Sequence, residues 1–116
     1  MSIVPEIEAG SLVIVHCMAP KEKLWGILVR LDAVGALVRG LDLASVEDWM
    51  VQERVQPGGP IAPSTVFIPM HRVERIYLDE SGGAVESYGD RYRTACGGDP
   101  VQALVRTVAK SGPEVQ

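Results

Sequence analysis

From Ser11 to Asp79 apolar side chains recur mainly at every second position, and turn-forming residues interrupt them at short intervals. Residues 11–18, SLVIVHCM, place Leu12, Ile14, His16 and Met18 on one face and Ser11, Val13, Val15 and Cys17 on the other. Both faces are apolar at the start, as in a strand covered on two sides or curled into a small barrel. The charged turn APKEK follows, and WGILVRL (25–31) then alternates Trp25, Ile27, Val29 and Leu31 against Gly26, Leu28 and Arg30. Asp32 to Gly35 reverses the chain and ALVRGL (36–41) returns. Short connections of this kind predict an antiparallel three-strand meander. Gly26, inside a strand, marks a bend or a close approach of backbones.

At Ser45 the period changes. Ser45 followed by Asp48 resembles a capping box, and Val46, Trp49 and Met50 recur at helical spacing, which predicts a helix over 46–54. The proline- and glycine-rich QPGGPIAPS ends it. Two more strands follow, TVFIPM and VERIYLD, the second with Ile76 and Leu78 on one side and Val73, Arg75 and Tyr77 on the other. Pro69 lacks a backbone donor, so it demands a sheet edge or a break in the ladder. Pro69 to Arg72 suits a single 3₁₀ turn, which redirects a chain sharply with few residues. Further on, Val85, Tyr88, Tyr92 and Cys96 predict a helix over 84–95, and Val101, Leu104, Val105 and Val108 predict another over 101–109. The organisation expected is an extension at 1–10, a small β-barrel at 11–80 with a helical insertion at about 42–63, a helical segment at 81–110 and a frayed tail at 111–116.

Composition narrows the class. A chain of 116 residues reads as one domain with enough material for a core. Aromatics are only 5%, so valine, leucine and isoleucine must fill that core, which favours strands. The net charge of −4 weighs against a surface generally suited to phosphate, though a local basic patch is compatible with it. Cys17 and Cys96 form no CxxC pattern and read as two reduced thiols of a cytoplasmic protein. The acidic start MSIVPEIEAG is unlike a signal peptide, and no apolar run approaches the ~18 residues of a membrane span.

Residues 11 to 79 resemble the Sm-like (LSm) family. Gly26, Leu28 and Asp32 match its first signature, and VFIPMHRVERIYL has the rhythm of the second. The resemblance implies a strongly bent five-stranded barrel of SH3-like architecture, often assembled into rings, whose best-known members bind RNA. Where those members carry a stacking aromatic and a base-reading Asn, this chain has Val34 and Ala36, and Arg72 and Arg75 lack the accompanying glycine. The usual chemistry for single-stranded RNA is therefore missing.

Candidate chemistry is sparse. His16 and Cys17 are neighbours in a strand and point to opposite faces. A Cys96–His71 nucleophile pair has no support from spacing, and these four residues lack the close ligand pairs of a zinc site. Asp42, Glu47, Asp48 and Glu53 read as helix capping and solvation. Arg30, Arg39, Arg72 and Arg75 are the candidates for an anion or RNA contact. Trp25, Trp49, Met50, Leu104 and Val105 are the candidates for partner binding, because aromatics and Met favour contact sites. The resulting expectation is a mainly β, non-enzymatic interaction or assembly module without cofactor or metal, forming homo-oligomers or docking a protein. The alternative is a divergent RNA-binding protein that uses the arginines.

Overall fold

In the computed structural model, which describes residues 4–106, five strands form one antiparallel sheet. They are β1 (Leu12–Cys17), β2 (Glu22–Leu31), β3 (Gly35–Asp42), β4 (Ser64–Pro69) and β5 (Val73–Leu78), in the order β4-β3-β2-β1-β5. A 3₁₀ turn at Leu43–Ser45 leads into α1 (Val46–Val55), and α2 (Tyr88–Cys96) and α3 (Pro100–Val105) follow β5. Val108 lies outside the described residues. Among the described residues no helix is long and apolar enough to cross a membrane.

Gly26 of β2 and Gly40 of β3 are direct cross-strand partners. A Cβ on Gly26 would sit 2.6 Å from the Gly40 Cα, and one on Gly40 would sit 2.7 Å from the Gly26 Cα. Both glycines thus let two backbones approach where any side chain would hold them apart, which is how a sheet curves strongly. Alternation along the strands divides the apolar residues between two faces. On the inner face Val13, Val15, Cys17, Leu28, Ala36, Val38 and Ile68 pack together. On the outer face Trp25, Ile27 and Leu41 meet Val46, Trp49 and Met50 of α1, Tyr92 of α2, and Ala103 and Leu104 of α3.

Bulges shift the expected alternation twice. The β2–β3 register slips between Leu28 and Arg30, after which Arg30 pairs with Leu37 and Leu31 with Ala36. The single face expected for Trp25, Ile27, Val29 and Leu31 therefore breaks after Ile27. In β5 the register slips opposite His16 and Cys17, so Val73 pairs with Cys17 and packs on the inner cluster beside Ile76, rather than with Arg75 and Tyr77.

The chain passes from β4 to β5 through a 3₁₀ turn at Met70–Arg72, as the proline spacing implies. Closure into a hydrogen-bonded barrel, expected from the sequence, is not made: β4 and β5 are the two edges of an open sheet. The turn is bonded elsewhere. Met70 N–H donates to the Val34 carbonyl at 2.9 Å and Met18 N–H to the Arg72 carbonyl at 2.8 Å.

Helix starts also differ in detail. Ser45 precedes α1 but its hydroxyl makes no capping bond, because the 3₁₀ turn runs directly into the helix. α2 begins at Tyr88 rather than 84, where the Ser87 hydroxyl accepts from Asp90 N–H at 3.0 Å. α3 opens on Pro100, with Asp99 accepting from Val101 N–H at 3.0 Å.

Candidate functional site

The expected apolar contact surface is inside the molecule. Trp25, Trp49 and Leu104 are fully buried and Met50 nearly so; of the five candidates only Val105, 50% exposed, reaches solvent. The Trp25 and Trp49 rings lie 5.8 Å apart, and Trp49 stacks on Tyr92 at 5.2 Å. The physical reason is the second apolar face of the sheet: Trp25, Ile27 and Leu41 need cover, and α1 supplies it with its Val46–Trp49–Met50 side.

The four arginines are likewise engaged, each with its own partners. Arg72 ties down the β1–β2 turn through the carbonyls of Met18 (3.2 Å) and Pro20 (2.9 Å) and the carboxylate of Glu22 (3.2 Å). Arg39 donates to the Leu104 carbonyl at 2.7 Å, and also to the Arg106 carbonyl and the Thr65 hydroxyl. Arg30 pairs with Asp32, and Arg75 donates to the Tyr77 hydroxyl beside Glu74. Val34 stands exposed at the hairpin tip, and Ala36 is buried in β3.

Among the described residues the candidate histidines and cysteines lie on different elements and faces. His16 and Cys17 do face opposite sides: Cys17 is in the inner cluster, and His16 meets the Tyr77 ring edge-on at 5.0 Å. Cys96 donates to the Met50 carbonyl, while His71 is exposed in the 3₁₀ turn. Burial pushes both thiols above their ordinary range. Among the described residues no group of three metal-ligating side chains comes together. Glu53 departs from the solvated role expected of it: its side chain is buried, pairs with Arg106 and accepts from Gly58 N–H at 3.2 Å. A cleft of about 940 Å³ is lined by Lys21 and Lys23 together with Glu22, Asp42, Glu47, Asp48 and Glu74, so carboxylates outnumber the two lysines along it.

The open edges of the sheet remain. Backbone groups of an edge strand point alternately towards its neighbour and towards solvent. Because Met70 N–H bonds Val34 opposite it, the phase of the β3–β4 ladder turns Ser64, Val66 and Ile68 towards β3. Thr65 and Phe67 then direct N–H and C=O outward, and Pro69, also outward, has no donor to lose. On the other side Asp79 N–H bonds the Leu12 carbonyl, so Tyr77 and Arg75 face β1 while Ile76 and Leu78 face out.

The two edges differ in protection. β5 carries Glu74 and Arg75 and a bulge, devices that discourage strand pairing. β4, STVFIP, carries no charge, and its Phe67 is 44% exposed. Thr65 and Phe67 were not singled out from sequence, although an uncharged run ending in an edge-type proline is the signal that points to them. Comparison with family models, curated proteins and solved structures yields no match.

Proposed function

We propose that this chain is a non-enzymatic assembly module that self-associates, built on a curled sheet of the Sm-like or SH3-like kind. One observation carries the reading: the outer edge of β4 presents unpaired, uncharged backbone beside an exposed phenylalanine. Such an edge is a template for another strand, and proteins that stay monomeric usually blunt it with charge. The strand order, the 3₁₀ joint between the last two strands and the Gly26 bend support the architecture. Asp32 fits it as well: its Oδ1 accepts from Val34 N–H at 2.9 Å and Gly35 N–H at 3.2 Å, which holds the β2–β3 reversal.

The RNA-binding alternative draws less support, since Arg39 and Arg72 are held by carbonyls of the chain itself, which leaves the exposed Arg30 and Arg75, paired with Asp32 and with Tyr77, as separate surface cations. Sedimentation equilibrium over a dilution series tests the proposal. A mass above that of one chain, falling on dilution, is the expected result. A single-chain mass at every concentration overturns it.

A further inference from the structure

The register of the edges points to a particular partner geometry, and this inference rests on the self-association proposed above. We infer that β4 pairs antiparallel with β4 of a second copy, about a two-fold axis at Val66, to join two sheets into one.

The first argument concerns faces. Residues directly opposite in an antiparallel pair have side chains on the same side of the sheet. Thr65 and Phe67, whose backbone groups point outward, pair with Arg39 and Leu37 and so belong to the outer, helix-bearing face. Ile76 and Leu78, the outward residues of β5, pair with Val15 and Val13 and belong to the inner face. Joining β4 antiparallel to the β5 of another copy would therefore run the outer face of one into the inner face of the next. Joining β4 to β4 keeps outer with outer and inner with inner.

The second argument concerns register. Pro63, one residue before β4, and Pro69 bracket the outward groups, leaving Thr65 and Phe67 as the outward donors. With Val66 opposite Val66, Thr65 of each copy faces Phe67 of the other. All four outward N–H and C=O groups of each strand between the prolines are then paired, and the prolines fall opposite one another beyond the ladder. Moving the axis to Thr65 or Phe67, a two-residue change of register, leaves an outward carbonyl opposite a proline without a donor. The exposed Phe67 rings would cover Thr65 on the partner strand, an aromatic–β-branched pair of the kind that stabilises sheets. No charge on β4 opposes the approach. The contact is isologous and closes at two copies.

The experiment uses the full chain with Cys96→Ser, leaving Cys17 buried in the core. Val66→Cys places thiols at a non-hydrogen-bonded pair, where Cα atoms are about 4.5 Å apart and a disulfide fits. Ser64→Cys is the exposed, off-axis control. Expected on oxidation is a covalent dimer from Val66→Cys and none from Ser64→Cys. In addition, Thr65→Lys and Phe67→Lys should each return the chain to a single-chain mass, with circular dichroism checking that every variant is folded. A self-associating protein in which Val66→Cys fails to cross-link, or Ser64→Cys cross-links as readily, overturns the β4–β4 pairing and leaves self-association standing. So does one whose mass the folded lysine variants leave unchanged. A wild-type chain that is monomeric throughout overturns both.

Discussion

The indole N–H of Trp25 donates to Oδ2 of Asp79 at 2.9 Å, and the same carboxylate accepts from Tyr88 N–H at 3.0 Å and Gly89 N–H at 2.9 Å. One side chain after β5 thereby joins β2 to the start of α2. It fixes how the helical segment sits over the outer face, because the Trp25 ring also packs 6.2 Å from Tyr88.

Removing that carboxylate should be costly. Asp79→Ala deletes three hydrogen bonds to a charged acceptor and strands the buried Trp25 donor, so a loss of about 2–4 kcal/mol is expected. Asp79→Asn keeps one acceptor oxygen and should fall between alanine and wild type. Urea unfolding measures both. An alanine variant as stable as wild type would show that the bridge does not hold α2 in place.

The two tryptophans should respond differently to losing the indole nitrogen. Trp49 is fully buried and its Nε1 has no hydrogen-bond partner among the described residues, whereas that of Trp25 is satisfied by Asp79. Trp25→Phe should therefore destabilise by about 1 kcal/mol more than Trp49→Phe. Equal losses in denaturant titrations would contradict the assignment.

Curvature gives a third prediction. At Gly40 a Cβ would lie 2.0 Å from the Trp25 carbonyl oxygen, and at Gly26 it would lie 2.2 Å from that of Arg39; both obstacles are backbone and cannot rotate away. Gly26→Ala or Gly40→Ala should cost at least about 2–3 kcal/mol. Gly98→Ala, with nothing within 4 Å, should stay within about 0.5 kcal/mol of wild type. Thermal melts of the three variants compare them directly.

The pH dependence follows from two exposed carboxylates. Asp32 is held below the usual aspartate range by the Val34 and Gly35 N–H groups, and Asp90 by the Ser81 hydroxyl and then Arg93. A folded pKa below the unfolded one means that the unfolded chain takes up protons first as the pH falls. The stabilisation from these groups is present above about pH 3.9, the unfolded aspartate value, and is lost as the pH drops through their lower folded values. The melting temperature should fall over that acid window, and less steeply in Asp32→Asn, which cannot titrate but can still accept the two N–H groups. A slope unchanged by the substitution would remove Asp32 from the account.

Local chemistry determined much of this fold. Period-two alternation marks all five strands. Gly26 marks the close approach to β3, although its partner Gly40 does not declare itself as such. Pro69 and the residues after it mark the 3₁₀ joint, and its missing donor marks β4 as an edge strand, where that position faces away from the neighbouring strand.

Tertiary structure alone decided which apolar residues are covered. Trp49 and Met50, candidates for a contact surface in the sequence, are core in the structure, because a helix face has no inside until something stands opposite it. The outer face of the sheet stood there. Bulges at Val29 and Glu74 reassigned Leu31 and Val73, since one extra residue inverts every side chain beyond it. The open edge of β4 was decided the same way: whether a strand's backbone groups are paired depends on what lies beside it, and its own residues specify only which of them point outward.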